Sequence, residues 1–161
     1  MRSLLLSLEG SALGVFVRES GVWTYAFLNL FHILGISTLF GSILVLDLRL
    51  LGVGRMLRIG DLARLTVPLS MLGFALAAGT GVMMLSTNGS EYVGNPYLPM
   101  KFGAIGVGLV NVAIVSRLDA WGAARVRELT PSERRTLAVA GATSLASWFT
   151  AVVCGRMIAY W

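Results

Sequence analysis

Four apolar segments dominate this chain, and each is long enough to cross a lipid bilayer as a helix. A span needs about 20 apolar residues, because the hydrocarbon core of a bilayer is roughly 30 Å thick. Only 13% of the residues are charged, about half the share found in a soluble domain. We therefore predict an all-α membrane protein, with one membrane domain over 1–161 that contains an antiparallel four-transmembrane-helix bundle. The predicted spans are about 23–46, 66–86, 100–116 and 136–158.

The residues before the first span have the pattern of an amphipathic helix that lies in the membrane interface. We predict this helix over about 3–18, with an apolar face that includes Leu4 and Phe16 and a polar face that includes Gly14 and Arg18. Its apolar run is broken by Glu9 and is too short for a signal peptide, so we expect no cleavage.

The positions of the basic residues predict the orientation of the spans. Positively charged short loops remain in the cytoplasm. The 47–65 and 117–135 loops contain nine arginines, against four basic residues on the other side. We therefore predict a multi-pass protein of a bacterial inner (plasma) membrane, with both termini in the periplasm. This placement also explains the net charge of +5 without nucleic acid as a partner. The nine are Arg49, Arg55, Arg58, Arg64, Arg117, Arg125, Arg127, Arg134 and Arg135.

The only histidine, His32, lies inside the first apolar segment, which has no charged residue. Ionisable residues inside a membrane are costly and are commonly functional. Tyr25, Asn29 and His32 are spaced i, i+4 and i+7, so they share one face of the helix. One interpretation is a neutral histidine that is hydrogen-bonded to another span. The other is an axial ligand of haem b iron, with Asn29 close to the cofactor.

Two basic residues near the outer ends of their helices, Lys101 and Arg156, are candidates for binding an anion. Isolated cations at helix ends often extend to the interface and bind nothing. Haem propionates would nevertheless suit both side chains. Because arginine can bind a carboxylate through two hydrogen bonds, we expect Arg156 to contribute more than Lys101.

Sulfur-containing residues form a competing candidate site in the outer half of the membrane. Thioether, thiolate and imidazole are the soft ligands that select Cu(I). Methionine is also an ordinary filler of apolar cores, so packing is the alternative. The copper candidates are Met83, Met84, Met100, Cys154 and Met157, with His32.

Small residues at four-residue spacing predict which helix faces pack together, because they allow transmembrane helices to approach closely. The second span has such a stripe at Gly73, Ala77 and Gly81. The fourth span has one at Ala138, Ala142 and Ala146.

At the inner end of the first span, we expect Asp47 and Arg49 to bind separate partners from the third helix, such as Arg117 or Asp119. Thr130, Pro131 and Glu133 have the pattern of a capped helix start that opens the fourth span.

The chain contains the stretches Arg18-Glu19-Ser20, Phe31-His32-Ile33-Leu34-Gly35, Phe40-Gly41-Ser42, Leu46-Asp47-Leu48-Arg49-Leu50-Leu51-Gly52, Asn95-Pro96, Lys101 and Gly155-Arg156-Met157-Ile158-Ala159-Tyr160. Together they resemble an uncharacterised family of small bacterial four-helix integral membrane proteins. A looser similarity runs to the CopD-like copper-resistance membrane proteins and to HemJ-type haem-binding membrane proteins. The HemJ-type similarity implies that His32 is the haem ligand and Lys101 its partner. The chain lacks the tryptophan and the second histidine typical of those neighbourhoods, so no particular reaction is implied.

These patterns predict a b-type haem-binding redox protein, or a small subunit of a membrane redox assembly. Cu(I) binding or transport is the first alternative, and a cofactor-free structural subunit is the second. Whether the chain is an enzyme stays open. Since one histidine cannot fill both axial positions, the haem would be five-coordinate, take a second ligand such as methionine, or be shared across a dimer. The expected partners are the lipid bilayer and further copies or other membrane subunits.

Overall fold

The computed structural model describes residues 2–161, which fold into helices joined by short loops, without a strand in that range. Four helices, α3, α4, α5 and α7, are long and apolar enough to cross a membrane. The prediction of an all-α fold with four long apolar helices is thereby confirmed. The helices are α1 (Arg2–Glu9), α2 (Ala12–Glu19), α3 (Val22–Leu50), α4 (Ile59–Thr87), α5 (Tyr97–Val115), α6 (Asp119–Ala123) and α7 (Pro131–Met157), with short 3₁₀ turns at Gly89–Tyr92 and Ile158–Tyr160.

Three of the long helices extend beyond the predicted spans at their arginine-bearing ends. The predicted spans end where charged residues lower the hydropathy, whereas the backbone hydrogen bonds of the helices continue through these residues. The start of α7 follows the predicted cap: the Thr130 hydroxyl accepts a hydrogen bond from the N–H of Glu133 at 3.3 Å. The Glu133 carboxylate in turn accepts one from the N–H of Thr130 at 2.8 Å. This reciprocal pair satisfies two donors that the first turn of a helix otherwise leaves unpaired.

The four long helices pack as two pairs. Helix α3 runs along α4, α5 runs along α7, and contacts between α3 and α7 join the pairs, whereas α4 and α5 are hardly in contact within the described chain. The α3–α4 crossing depends on Gly35 and Gly73. A Cβ atom at Gly35 would lie 2.7 Å from the backbone nitrogen of Ala77 and 3.0 Å from the carbonyl oxygen of Gly73. The predicted packing role of the Gly73 stripe is therefore confirmed.

The packed face of α7 differs from the predicted one. Ala142 and Ala146 face outward, while Gly141 and Ser144 are buried on a different side of the helix. A Cβ atom at Gly141 would lie 3.0 Å from the Cβ atom of Leu50 on α3. Small residues occur on both faces of α7, so their spacing alone could not identify the face that meets α3.

The N-terminal segment forms two short helices rather than the single helix predicted over 3–18. The break falls at Gly10 and Ser11. The Ser11 hydroxyl accepts a hydrogen bond from the N–H of Gly14 at 3.2 Å and caps α2. Serine is among the residues that favour the N-cap position, and this local signal outweighs the continuous apolar periodicity.

Helices α1 and α2 pack on the end of α4 and on the 3₁₀ turn that follows it. Leu5 and Val17 are buried in this contact. Arg18 lies on the predicted polar face and donates hydrogen bonds to the carbonyl oxygens of Glu9 and Thr87, at 2.9 and 3.0 Å. Side chains from both predicted faces therefore contact protein, which the amphipathic pattern did not indicate.

Candidate functional site

A cavity of about 250 Å³ lies among the four long helices and is partly open. Its wall is mostly apolar and aromatic. His32 and Lys101 are the only ionisable lining residues from the described chain. The opening is consistent with the near absence of contact between α4 and α5, which both contribute to the wall. The apolar lining includes Phe40, Phe74, Phe102, Ile105 and Trp148.

The contacts of the His32 ring favour the neutral tautomer that has its proton on Nδ1. The Nδ1 atom lies 3.1 Å from the hydroxyl oxygen of Thr80. The same hydroxyl lies 2.6 Å from the carbonyl oxygen of Leu76, and we assign its single proton to that bond, so that it accepts from the imidazole. In this tautomer the lone pair of the neutral ring is on Nε2. A neutral imidazole can bind a metal through that atom.

Gly81 on α4 leaves the space that the His32 ring occupies. A Cβ atom at Gly81 would lie 2.9 Å from Cε1 and 3.4 Å from Nδ1 of the ring. Such a contact is too short for the ring to keep its place. The third member of the predicted Gly73 stripe thus makes room for the histidine ring.

Lys101 brings a positive charge to the same cavity. It is half-buried near the start of α5, and its Nζ atom lies 3.5 Å from the position that a Cβ atom of Gly155 would occupy. The ion pairs found within residues 2–161 do not include it. A cation without an acidic partner, beside an apolar cavity, is suited to the anionic group of a ligand.

The other two predicted cofactor-binding residues lie outside the cavity wall. The Arg156 guanidinium stacks on the Tyr160 ring, with 4.7 Å from Cζ to the ring centroid, and donates a hydrogen bond to the Tyr160 hydroxyl. Asn29 is half-buried, and its amide makes no hydrogen bond with the described residues. The structure therefore brings together His32 and Lys101, and leaves Arg156 and Asn29 apart from them.

The sulfur-containing copper candidates do not line the cavity. Met100 is 53% exposed on the outer surface of its helix, whereas Cys154 is buried at 4% exposure. Within residues 2–161, no group of three or more His, Cys, Asp or Glu side chains is arranged to hold a metal ion. Nothing in this geometry favours copper over simple packing for Met83, Met84, Met100, Cys154 and Met157.

Trp148 lines the cavity and is not among the predicted site residues. Its ring meets Phe74 edge-on, with centroids 5.9 Å apart, and it packs on Gly108, whose Cβ atom would lie 2.9 Å from the ring. The indole Nε1 atom is buried and has no hydrogen-bond partner within the described chain. Tryptophan in spans concentrates at the two interfaces, so a tryptophan well inside an apolar segment was an available signal.

Asp47 and Arg49 do not bind the partners expected from the third helix. The Asp47 carboxyl is buried where α3 meets α7 and faces Ser144, while its Oδ2 atom has no partner in residues 2–161. Arg49 donates hydrogen bonds to the carbonyl oxygens of Leu57 and Arg55, at 2.6 and 3.4 Å. The expectation of Arg117 or Asp119 as partners is therefore wrong, because Arg49 instead binds the loop that immediately follows its own helix.

Comparisons with known protein families, with curated proteins and with solved structures find no match for this chain. The function must therefore be inferred from the cavity and from its residues.

Proposed function

We propose that this chain is an integral membrane protein that binds b-type haem through His32. It would act as a redox protein or as the small subunit of a membrane redox assembly. The observation that supports this most is the 3.1 Å contact between His32 Nδ1 and the Thr80 hydroxyl oxygen at the wall of an apolar cavity, because a proton on Nδ1 leaves the lone pair of Nε2 available. Metal-bound histidines almost always donate their other ring N–H to a carboxylate, a backbone carbonyl or water, which fixes the ring and raises its basicity, and the Thr80 hydroxyl would fill this role here. Haem would supply one-electron chemistry at its iron.

The residues of the cavity wall support haem binding, whereas the volume of the cavity limits how much of the haem one chain can enclose. Lys101 offers a positive charge for a propionate, and the aromatic side chains suit a flat apolar ring. A volume of about 250 Å³ is, however, below the ~300–1,000 Å³ of pockets that bury drug-sized ligands. One chain would therefore enclose only part of the macrocycle. We expect a second copy or another membrane subunit to cover the rest, on the side where α4 and α5 are hardly in contact.

A single chain also offers no second axial ligand for the haem iron. Within residues 2–161, the cavity wall contains no methionine or cysteine and no histidine other than His32. The proposed haem is accordingly five-coordinate in a single chain, or shared across a dimer.

The location that fits this proposal is the bacterial inner membrane, with both termini in the periplasm. Four long apolar helices support a multi-pass protein. The arginine-rich loops after α3 and before α7 support a cytoplasmic position for that end of the bundle. The cavity then lies in the periplasmic half of the membrane, since His32 and Lys101 are nearer the other ends of their helices.

Removal of the Lys101 charge from the cavity should weaken haem binding, whereas removal of the Arg156 charge should not. A charge-assisted hydrogen bond contributes ~1.5–3 kcal/mol, so we expect Lys101→Gln to raise the Kd for haem roughly tenfold or more. Arg156→Gln is the matched control, because its guanidinium is held by Tyr160 outside the cavity. Titration of haem into both purified variants, followed at the Soret band, measures the difference. A wild-type Kd for Lys101→Gln would show that Lys101 does not hold a propionate.

A single added methyl group at Gly81 should disturb the ligand. The new Cβ atom would lie 2.9 Å from His32 Cε1, so the ring must turn or shift. We expect Gly81→Ala to weaken haem binding about tenfold, which corresponds to ~1.4 kcal/mol. Gly79→Ala on the same helix is the control, because its Cβ atom would meet nothing within 4 Å. The same titration applies, and equal affinities in the two variants would contradict the proposed position of the ring.

A further inference from the structure

A second concavity, of about 750 Å³, lies at the opposite end of the bundle from His32. It is bordered by the end of α3, the loop that follows, and the residues around the start of α7. Arg49 is separated from His32 by about 25 Å along α3, at ~1.5 Å per residue. We call this concavity the arginine cleft, because one glutamate and six arginines line it: Arg49, Arg55, Arg58, Arg127, Arg134 and Arg135.

The positive charge of the arginine cleft is only partly balanced. The ion pairs found within residues 2–161 are Arg127–Glu133 at 2.6 Å and Arg134–Glu128 at 3.2 Å. The other four arginines of the cleft have no acidic partner in that range. The Glu128 side chain is 95% exposed, so its pair with Arg134 contributes little in water. The cleft therefore has an excess of positive charge that a bound anion would neutralise.

The arginines are brought together by the fold rather than scattered over a surface. Arg49 binds the carbonyl oxygens of Leu57 and Arg55, and so ties the loop after α3 to the end of that helix. This places Arg55 and Arg58 opposite arginines that are more than sixty residues later in the sequence. The preference for arginine in cytoplasmic loops explains positive charge at this end. It does not explain why two distant segments direct their arginines to one concave site, where like charges repel.

The remaining lining indicates an amphipathic ligand. Leucine and isoleucine side chains alternate with the arginines, among them Leu50, Leu57, Ile59 and Leu137. Guanidinium groups bind phosphate through paired hydrogen bonds. Basic pockets between transmembrane helices on the cytoplasmic side are suited to phospholipid headgroups. We propose that the arginine cleft binds the phosphate headgroup of an anionic phospholipid, with its apolar residues against the glycerol and the first acyl carbons.

The test uses two double variants with the same change of charge. Arg55→Gln/Arg58→Gln removes two arginines of the cleft that have no ion pair with a described residue. Arg64→Gln/Arg117→Gln removes two arginines from the same end of the bundle that do not line the cleft. The full chain is purified in neutral detergent and offered equal amounts of phosphatidylglycerol and phosphatidylcholine, and the retained lipid is counted by native mass spectrometry. Equal elution volumes and far-UV circular dichroism verify that all proteins are folded.

We expect the wild type to retain phosphatidylglycerol over phosphatidylcholine, and the cleft variant to lose roughly tenfold of that preference. The control variant should remain within about twofold of the wild type, because its charges act only through the screened surface potential. Equal losses in both variants would overturn the proposal in favour of general surface charge. Retention of both lipids alike by the wild type would also overturn it.

A parallel arm distinguishes a lipid from a soluble phosphate compound. Inorganic pyrophosphate is titrated into the lipid-loaded wild type. Failure to displace the lipid at millimolar concentration supports a headgroup site. Complete displacement at micromolar concentration would assign the cleft to a soluble phosphorylated ligand and overturn the lipid source. A third variant, Arg55→Lys/Arg58→Lys, keeps the charge and loses the planar fork, so we expect an intermediate preference.

Discussion

Replacement of His32 with alanine should abolish haem binding and remove the Soret band altogether. The reason is that His32 is the only imidazole in the chain and the only side chain in the described cavity wall with a nitrogen lone pair free for iron. The variant loses one hydrogen bond to Thr80, which costs ~1 kcal/mol, and should remain folded. Haem titration and thermal unfolding of the same preparation measure the two effects separately.

Asn29→Ala is the matched control for His32→Ala. Asn29 precedes His32 by about one turn of the same helix, lies outside the cavity wall, and makes no hydrogen bond with the described residues. We expect this variant to bind haem with the wild-type Kd. A Soret band of wild-type intensity in His32→Ala would show that another group ligates the iron. Loss of the band in both variants would show that its loss in His32→Ala does not identify the iron ligand.

Replacement of Gly73 with leucine should cause the largest loss of stability. A Cβ atom at Gly73 would lie 2.8 Å from the carbonyl oxygen of Gly35, and it would also collide with the backbone of Leu39. Because backbone atoms cannot move aside as a flexible side chain can, the cost should be at the upper end of the ~1–3 kcal/mol for overpacking, or above it. Unfolding in mixed detergent, followed by far-UV circular dichroism, measures the loss in the free energy of unfolding.

Gly41→Leu is the control for this prediction. Gly41 belongs to α3, is exposed, and has no atom within 4 Å of the position of its Cβ. A leucine there faces outward and should change the free energy of unfolding by less than ~0.5 kcal/mol. If both variants unfolded alike, the close α3–α4 crossing at Gly35 and Gly73 would be wrong, and the position of His32 against α4 with it.

The helices could be predicted from the sequence because a span is encoded locally, in its length and hydropathy. Because this signal is local, it could not predict the two features in which the structure differs from the expectation. The break at Gly10 and Ser11 depends on a single N-cap, that of Ser11, and a pattern of apolar and polar faces over the whole segment does not register one capping residue. The packed face of α7 depends on the helix that it meets, so Gly141 and Ser144 could not be selected over Ala142 and Ala146 from α7 alone.

The candidate site could be predicted only in part. His32 and Lys101 were expected to act together on the basis of a resemblance, and they line one cavity. Arg156 was expected beside them, but it stacks on Tyr160, four residues later in the chain. That i, i+4 spacing was visible in the sequence and is the usual spacing of a local pair. Trp148 could not be placed in the cavity without the structure, because its partners Phe74 and Gly108 come from two other helices.

The visible absorption spectrum of the full chain, purified from bacteria supplied with a haem precursor, tests the proposed function most directly. We predict a Soret band in the wild type that is absent from His32→Ala purified in parallel. A folded, colourless wild-type protein that also develops no Soret band when haem is added would contradict the proposal that His32 ligates haem in this cavity.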